Sequence, residues 1–257
     1  MPGILRKVRR AFLLSLLALG SPLVGDRAFA EDSYLLALTW QPGFCADHAA
    51  KAECKIAPKD QPHFTLHGLW PDWDVNRDGK RGSGDDFCVS GDGERQSMIA
   101  LDSGNWLKLP PVKLSVASSH DLELVMPGTA VGLDRHEWWK HGTCSDLKAE
   151  DYFATAIVLL RQVERGSLAR LLADQAGGTL DRSRVLDAFE KDFGRGAAKA
   201  LTLDCSKADG VTALQEIRIR LKRTGVSQGL TADSLAIPAK PGRGDCAADL
   251  FVPAWPH

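Results

Sequence analysis

The sequence predicts an α+β domain, and three observations carry that prediction. Residues 34–40 (YLLALTW) are a continuous apolar run with aromatic ends, as in a buried strand. Residues 149–193 contain three successive segments with apolar residues at helical spacing. Residues 200–222 return to strand-like patterning. Strands and helices come in runs, without the alternation of βαβ units, and this separates α+β from α/β.

Taken in order, residues 1–30 read as an export signal. Arg6, Lys7, Arg9 and Arg10 make a basic start, and residues 11–19 are an apolar run too short to span a bilayer. Ala28-Phe29-Ala30 places small residues at −3 and −1 before Glu31, which puts cleavage after Ala30; a buried N-terminal helix is the alternative. Arg9-Arg10-Ala11-Phe12-Leu13 also matches the core of a twin-arginine signal. The export route stays open, but either route leads to a secreted or periplasmic protein. No later segment approaches eighteen continuous apolar residues, so the mature chain is expected to be soluble and free of the membrane.

In the remaining chain, the strand at 34–40 is stopped by Pro42-Gly43. Residues 63–69 form a second strand, in which Thr65 and His67 alternate with Phe64 and Leu66. Residues 72–86, rich in Asp, Gly and Arg, form a loop. Residues 149–164 carry Tyr152, Phe153, Ala156, Ile157, Leu159, Leu160 and Val163 at helical spacing and close at Gly166. Helices at 167–176 and 182–193 follow, the second ended by Gly194. Residues 200–205 and 214–222 are strands. In the latter, Leu214, Ile217, Ile219 and Leu221 stand among Gln, Glu and Arg. With no repeat and no linker, residues 31–257 are expected to form one domain.

The chain has 257 residues and a formal net charge of −1. Residues 1–30 carry five cations (Arg6, Lys7, Arg9, Arg10, Arg27) and one anion (Asp26), so the 227 residues after them carry −5. That balance argues against broad electrostatic wrapping of nucleic acid but allows a local cationic cleft. All six cysteines, Cys45, Cys54, Cys88, Cys144, Cys205 and Cys246, lie beyond the signal. An even count in an exported chain implies disulfides, and spacing alone leaves fifteen pairings open. No Cys-x-x-Cys pair supports zinc.

Residues 136–142 (HEWWKHG) hold two imidazoles, a carboxylate and an ammonium. On an α-helix, Glu137 would project with His141 and His136 with Lys140. The two histidines would stand about 140° apart, wrong for a His-x-x-x-His zinc pair. One reading is a cluster around an oxyanion: His141 exchanges a proton near neutrality, Glu137 orients or adjusts charge, and Lys140 supplies a fixed cation. The other reading is a solvated helix end with packed tryptophans. His67, in the second strand, is either a satisfied core histidine or the partner of that cluster. Trp70 is either core or a platform for a base, and Asp72 either accepts from a base edge or is simply solvated.

Residues 64–71 (FTLHGLWP) and 136–144 (HEWWKHGTC) resemble the two catalytic segments of the ribonuclease T2 family of secreted endoribonucleases. Residues 39–45 (TWQPGFC) are similar to that family's first strand and turn, and the C-terminal strands resemble it more weakly. The resemblance implies a ribonuclease T2-like fold, a central antiparallel sheet with flanking helices and disulfide bonds. It implies cleavage of RNA through a 2′,3′-cyclic phosphate without metal or cofactor. In that chemistry His141 is the general base and His67 the general acid. Glu137 and Lys140 stabilise the phosphorane, and His136 holds the phosphate. Trp70 and Asp72 match positions bordering a base pocket. The resemblance also implies the pairs Cys88–Cys144 and Cys205–Cys246, leaving Cys45–Cys54, in a chain expected to act as a monomer.

Two features depart from the family pattern. Asp134 stands two residues before the first histidine of the second motif, where an aromatic is common, which puts a second base contact there in doubt. Asp74-Val75-Asn76-Arg77-Asp78-Gly79 with Asp85 fits part of a calcium loop, though Arg81 stands where an apolar residue is usual. A solvated acidic turn is the simpler reading of that stretch.

Overall fold

The computed structural model describes residues 32–57, 63–72, 86–145, 147–208, 211–238, 242 and 244–256. The expected export signal (residues 1–30) and calcium-type loop (residues 74–85) lie outside the described residues. Strand β1 (Ser33–Trp40) is an interior strand of a six-stranded sheet. It pairs antiparallel on one side with β2 (Phe64–Asp72) and on the other with β5 (Val211–Lys222). Strand β4 (Leu201–Ala208) flanks β5 on its far side, again antiparallel. Two four-residue strands, β3 (Gly178–Asp181) and β6 (Asp249–Val252), pair antiparallel and join β5 through a single parallel contact, Ala213 with Phe251. The central antiparallel sheet is therefore present, made mixed by that one contact.

Between β1 and β2 the chain forms α1 (Gln41–Asp47) and α2 (Ala52–Ile56), tied by the Cys45–Cys54 disulfide. Pro42 does end the strand, by occupying the first turn of α1, where its missing N–H costs nothing. Helices α3 (Asp92–Asp102) and α4 (Val116–Val125) had no counterpart in the apolar pattern. Each buries one residue, Met98 and Leu122, so neither presents an apolar stripe. The helix α5 (Leu133–His136) and a π turn (Glu137–His141) follow. Helix α6 (Ala149–Glu164) buries the seven residues its spacing marks and packs on β1 and β2. Glu150 and Asp151 in its first turn and Arg161 in its last complement the helix dipole. In the pair α7 (Ser167–Asp174) and α8 (Arg182–Phe193), the Asp192 carboxylate accepts the N–H groups of Ser167 at 2.7 Å and Leu168 at 3.0 Å, capping α7.

One face of the sheet is the core. Tyr34, Leu36, Leu38 and Trp40 of β1, Phe64, Leu66 and Leu69 of β2, and Leu214, Ile217, Ile219 and Leu221 of β5 pack with α6 in a single apolar cluster. Each fully buried large side chain there is worth about 1.5–3 kcal/mol of transfer free energy. The opposite face carries Thr39, Thr65, Glu216, Arg218 and Arg220, none of which belongs to that cluster. Alternation along β5 thus separates a dry face from a charged one.

Candidate active site

The charged face becomes a site through one irregularity in β2. Ala37 faces Gly68 and Leu38 faces Leu66, so His67 is the extra residue of a β-bulge. A bulge re-aims the side chain it carries. The Nδ1–H of His67 donates to Glu216 Oε2 at 2.5 Å, and Nε2 stands 3.6 Å from Glu137 Oε1. The His67 side chain is 34% exposed, which leaves its edge accessible.

Gly68 beside it has no room for a side chain. An added Cβ would lie 2.0 Å from Glu137 Oε2 and 2.5 Å from Trp70 Nε1. The glycine lets the fully buried Glu137 carboxyl lie against the strand, where Trp70 Nε1 donates to Oε2 at 2.7 Å. The other oxygen, Oε1, is buried and accepts no hydrogen bond among the described residues. Burial pushes the Glu137 carboxyl up to about 7, against the opposing pull of His67 and the Trp70 hydrogen bond.

The second segment is not the α-helical turn its sequence suggests. Residues Glu137–His141 form a π turn, in which residues five apart are separated by about one turn. His136 and His141 therefore share a side, with ring centroids 6.0 Å apart, instead of standing 140° around the axis. The adjacent indoles anchor this turn in different places. Trp138 packs into the main core, 5.7 Å from the Tyr152 ring. Trp139 joins a small cluster of Phe87, Met98 and Leu109 and donates to Pro110 O at 2.7 Å. The wide turn also overturns the phase argument against a metal: His136, Glu137 and His141 offer ligand atoms all within 4.8 Å of one another. The same three groups can close around a phosphate oxygen.

The turn is stitched to the chain that follows β2's loop. Phe87 N donates to Lys140 O at 2.9 Å, Cys88 N donates to Thr143 Oγ1 at 3.1 Å, and Cys88 is bonded to Cys144. With Cys45–Cys54 and Cys205–Cys246, all three implied disulfides are present. Asp86 Oδ1 comes within 3.6 Å of His141 Nδ1.

The two imidazoles are tuned in opposite directions. Burial pulls His67 down, but its hydrogen bond to Glu216 and the charges of Glu137 and Glu216 outweigh it, and the ring is held above its ordinary 6.5. Burial, reinforced by the cation of Lys140 and by His136 and His141's neighbour His67, lowers His141 to about 3. His136 is also lowered, by burial first. Its Nδ1–H donates to Asp102 Oδ1 at 2.6 Å and its ring stacks on Trp106 at 4.4 Å, leaving Nε2 facing Glu137 at 3.9 Å.

The structure thus brings His67, Trp70, His136, Glu137 and His141 together, with Lys140 close enough to act electrostatically on both histidines of the turn. Trp70 forms a wall between the imidazoles, its ring 5.2 Å from that of His67 and 5.4 Å from that of His141. Asp72 stands apart: four positions beyond Gly68, roughly 13 Å along the strand, its carboxylate is paired with Arg220. Sequence reasoning missed Glu216, Arg218, Asp102, Trp106 and Asp86. For the first two a signal existed, since a central strand with charged residues on one face needs a reason for them. A cavity of about 180 Å³ opens beside His67, lined among others by Gln41, Phe44, Lys51, Thr65, Trp106 and Glu216.

Comparison with known proteins points to one family. The chain is 29% identical to Ribonuclease I of Escherichia coli (strain K12) over 258 residues, covering 92% of this chain and 90% of the relative. It is 24% identical to Ribonuclease 1 of Arabidopsis thaliana, covering 95% and 96%. Its fold matches the gametophytic self-incompatibility associated SF11-RNase of Nicotiana alata with TM-score 0.56 at 20% identity, over 87% of this chain and 99% of that one. It also matches a mutant of RNase MC1 in complex with 5′-UMP, with TM-score 0.53 at 19% identity, over 86% and 98%. The profile of the Ribonuclease T2 family covers residues 31–231. With its two histidine segments facing each other across Glu137, the chain belongs to the Ribonuclease T2 family and is an endoribonuclease.

Proposed function

We propose that this protein is an exported, metal-independent endoribonuclease that cleaves single-stranded RNA by transferring the phosphate onto the neighbouring 2′-oxygen. The observation that carries the reading is the opposed tuning of two imidazoles around one buried carboxyl. Groups whose environments push their proton affinities apart mark an acid and a base. His141, neutral down to about pH 3, is the base that takes the proton of the ribose 2′-OH. The 2′-oxygen attacks phosphorus, and the bond to the 5′-oxygen breaks. His67, held protonated, delivers its Nε2 proton to that leaving oxygen.

Glu137 carries a proton below about pH 7 and can donate it as a hydrogen bond to an equatorial oxygen of the phosphorane through its free Oε1. Lys140 adds a cation and His136 a further phosphate contact. Trp70 borders the base on the 2′-OH side, whereas Asp72, paired with Arg220, takes no part, and the leaving nucleoside enters the cavity beside His67. The products are a 2′,3′-cyclic phosphate and a 5′-OH, and water opens the cyclic ester in a second pass. DNA, lacking the 2′-OH, binds the same site without being cut.

Three disulfides support folding in an oxidising compartment, and with it the reading of residues 1–30 as an export signal ahead of one catalytic domain at 31–257. No described helix is long and apolar enough to cross a membrane. The test is digestion of a defined RNA in EDTA with identification of the termini. Cyclic phosphate ends appearing before 3′-phosphate ends, at undiminished rate, are expected. Loss of activity in EDTA, or 5′-phosphate products, would overturn the mechanism.

A further inference from the structure

The imidazole that delivers the proton has a second nitrogen, and that nitrogen is not left to solvent. We infer that Glu216, braced by Arg218, is a positioning residue for His67: its carboxylate holds Nδ1 and so fixes the ring with Nε2 on the reaction side. The inference rests on the assignment of His67 as general acid.

The sheet register builds this contact. Glu216 lies across from Thr39 of β1, and Arg218 across from Ala37, so both project onto the open face. Alternation from Thr65 brings His67 onto that face, and the bulge shifts the phase after it so that Gly68 and Trp70 lie there too. The Arg218 Nε–H donates to Glu216 Oε1 at 2.8 Å and stands 3.2 Å from Asp204 Oδ2 on β4. Its guanidinium lies 5.6 Å from the Trp70 ring centroid. The intervening row, Ala37 and Gly68, is small enough to let it reach. One carboxylate oxygen of Glu216 thus faces the arginine and the other faces the imidazole. This is how a carboxylate fixes the tautomer and orientation of a catalytic histidine, without touching substrate itself.

Charge follows geometry. The charged and titratable groups facing His67 are Glu216 and Arg218 from β5 and Glu137, His136 and His141 from the turn. Burial opposes the protonated ring, and the Glu216 hydrogen bond is the largest influence in its favour. Arg218 works against it, so the arginine limits the effect while holding the carboxylate in place.

The experiment is a side-chain nitrogen NMR titration of His67 in the wild-type protein and in Glu216→Gln, paired with the pH profile of kcat/KM on a dinucleotide. Glutamine keeps the shape and an acceptor but removes the charge. The His67 midpoint is expected to fall, and the basic limb of the profile to move to lower pH with it. kcat should drop roughly 10- to 100-fold while KM stays within about twofold. An unchanged His67 midpoint would overturn the inference. A midpoint that falls while the basic limb stays put would leave the contact real but remove His67 from the general-acid role, a separate failure. Should Glu216→Gln not fold, Arg218→Gln reads the coupling from the other side. Loss of the cation should raise the His67 midpoint, and no change would overturn the inference equally.

Discussion

His67 projects from a bulged strand on the open face of the sheet, whereas His141 ends a wide helical turn pressed between two apolar clusters. His67 keeps a third of its side chain exposed and is paired with a carboxylate. His141 is more buried, at 16%, and sits beside a lysine. The same side chain therefore holds a proton in one place and refuses it in the other. The strand achieves its effect with charge and the turn with desolvation, and the difference shows that two unlike local structures can divide one proton-transfer task.

The largest effect should come from removing either member. His67→Ala and His141→Ala are each expected to lower kcat/KM by about 10²–10⁴-fold with circular dichroism unchanged. The double variant should lose scarcely more than the worse single, because the two act in one step. Wild-type turnover in either would break the comparison outright. Next comes Gly68→Ala, which attacks the meeting point of the two segments by forcing a Cβ against Glu137 and Trp70. A loss of about 10²-fold in kcat is expected from the displaced carboxyl, and single-turnover rates would show whether the chemical step is what fails.

Lys140→Gln sharpens the comparison on the turn side. Its cation disfavours the imidazolium of His141, so its removal should raise the His141 midpoint and move the acid limb of kcat/KM to higher pH. Lost phosphorane stabilisation should cost kcat a further ~10- to 100-fold. An unmoved acid limb would mean that Lys140 does not tune His141.

The Cys88–Cys144 bond tests whether the two segments need to be tied. Its replacement by serines should cost about 2–5 kcal/mol of stability, read by thermal melting, and also lower kcat. Replacing Cys205–Cys246 should cost stability alone.

The smallest effect concerns Glu164, which burial also raises to about 7 although it lies outside the site, accepting Phe64 N–H at 2.9 Å. A carboxyl raised from 4.5 stabilises the fold fully below pH 4.5 and loses that contribution as pH climbs through 7. Glu164→Gln keeps the acceptor, so it should raise Tm by a few degrees at pH 8 and not at pH 4. It should leave the pH profile of activity unmoved, whereas Glu137→Gln should alter it.

Much of the core was legible because its periodicity is strong. The buried positions of α6 and the dry face of β5 follow directly from spacing. Helices α3 and α4 were not legible, since each buries a single side chain. In the site, His67, Glu137 and His141 could be named from two motifs and a family resemblance. Their arrangement could not: the bulge at His67 is a property of strand pairing, and the π turn depends on where two indoles find partners. Asp102 and Trp106, which orient His136, are distant in sequence and carry no local signal.

The loop between the two segments has both of its described ends fastened. Asp72 is paired with Arg220 on the sheet, and Phe87 and Cys88 are bound to the turn by one backbone hydrogen bond, one to the Thr143 hydroxyl, and a disulfide. Closure entropy grows slowly with length, by about 0.6 kcal/mol per doubling. A change in the length of chain between residues 72 and 86 should therefore cost little stability, because the described ends are held by the sheet and the turn themselves. The chemistry of the two histidine segments can be inherited intact while the number of residues separating them in sequence varies.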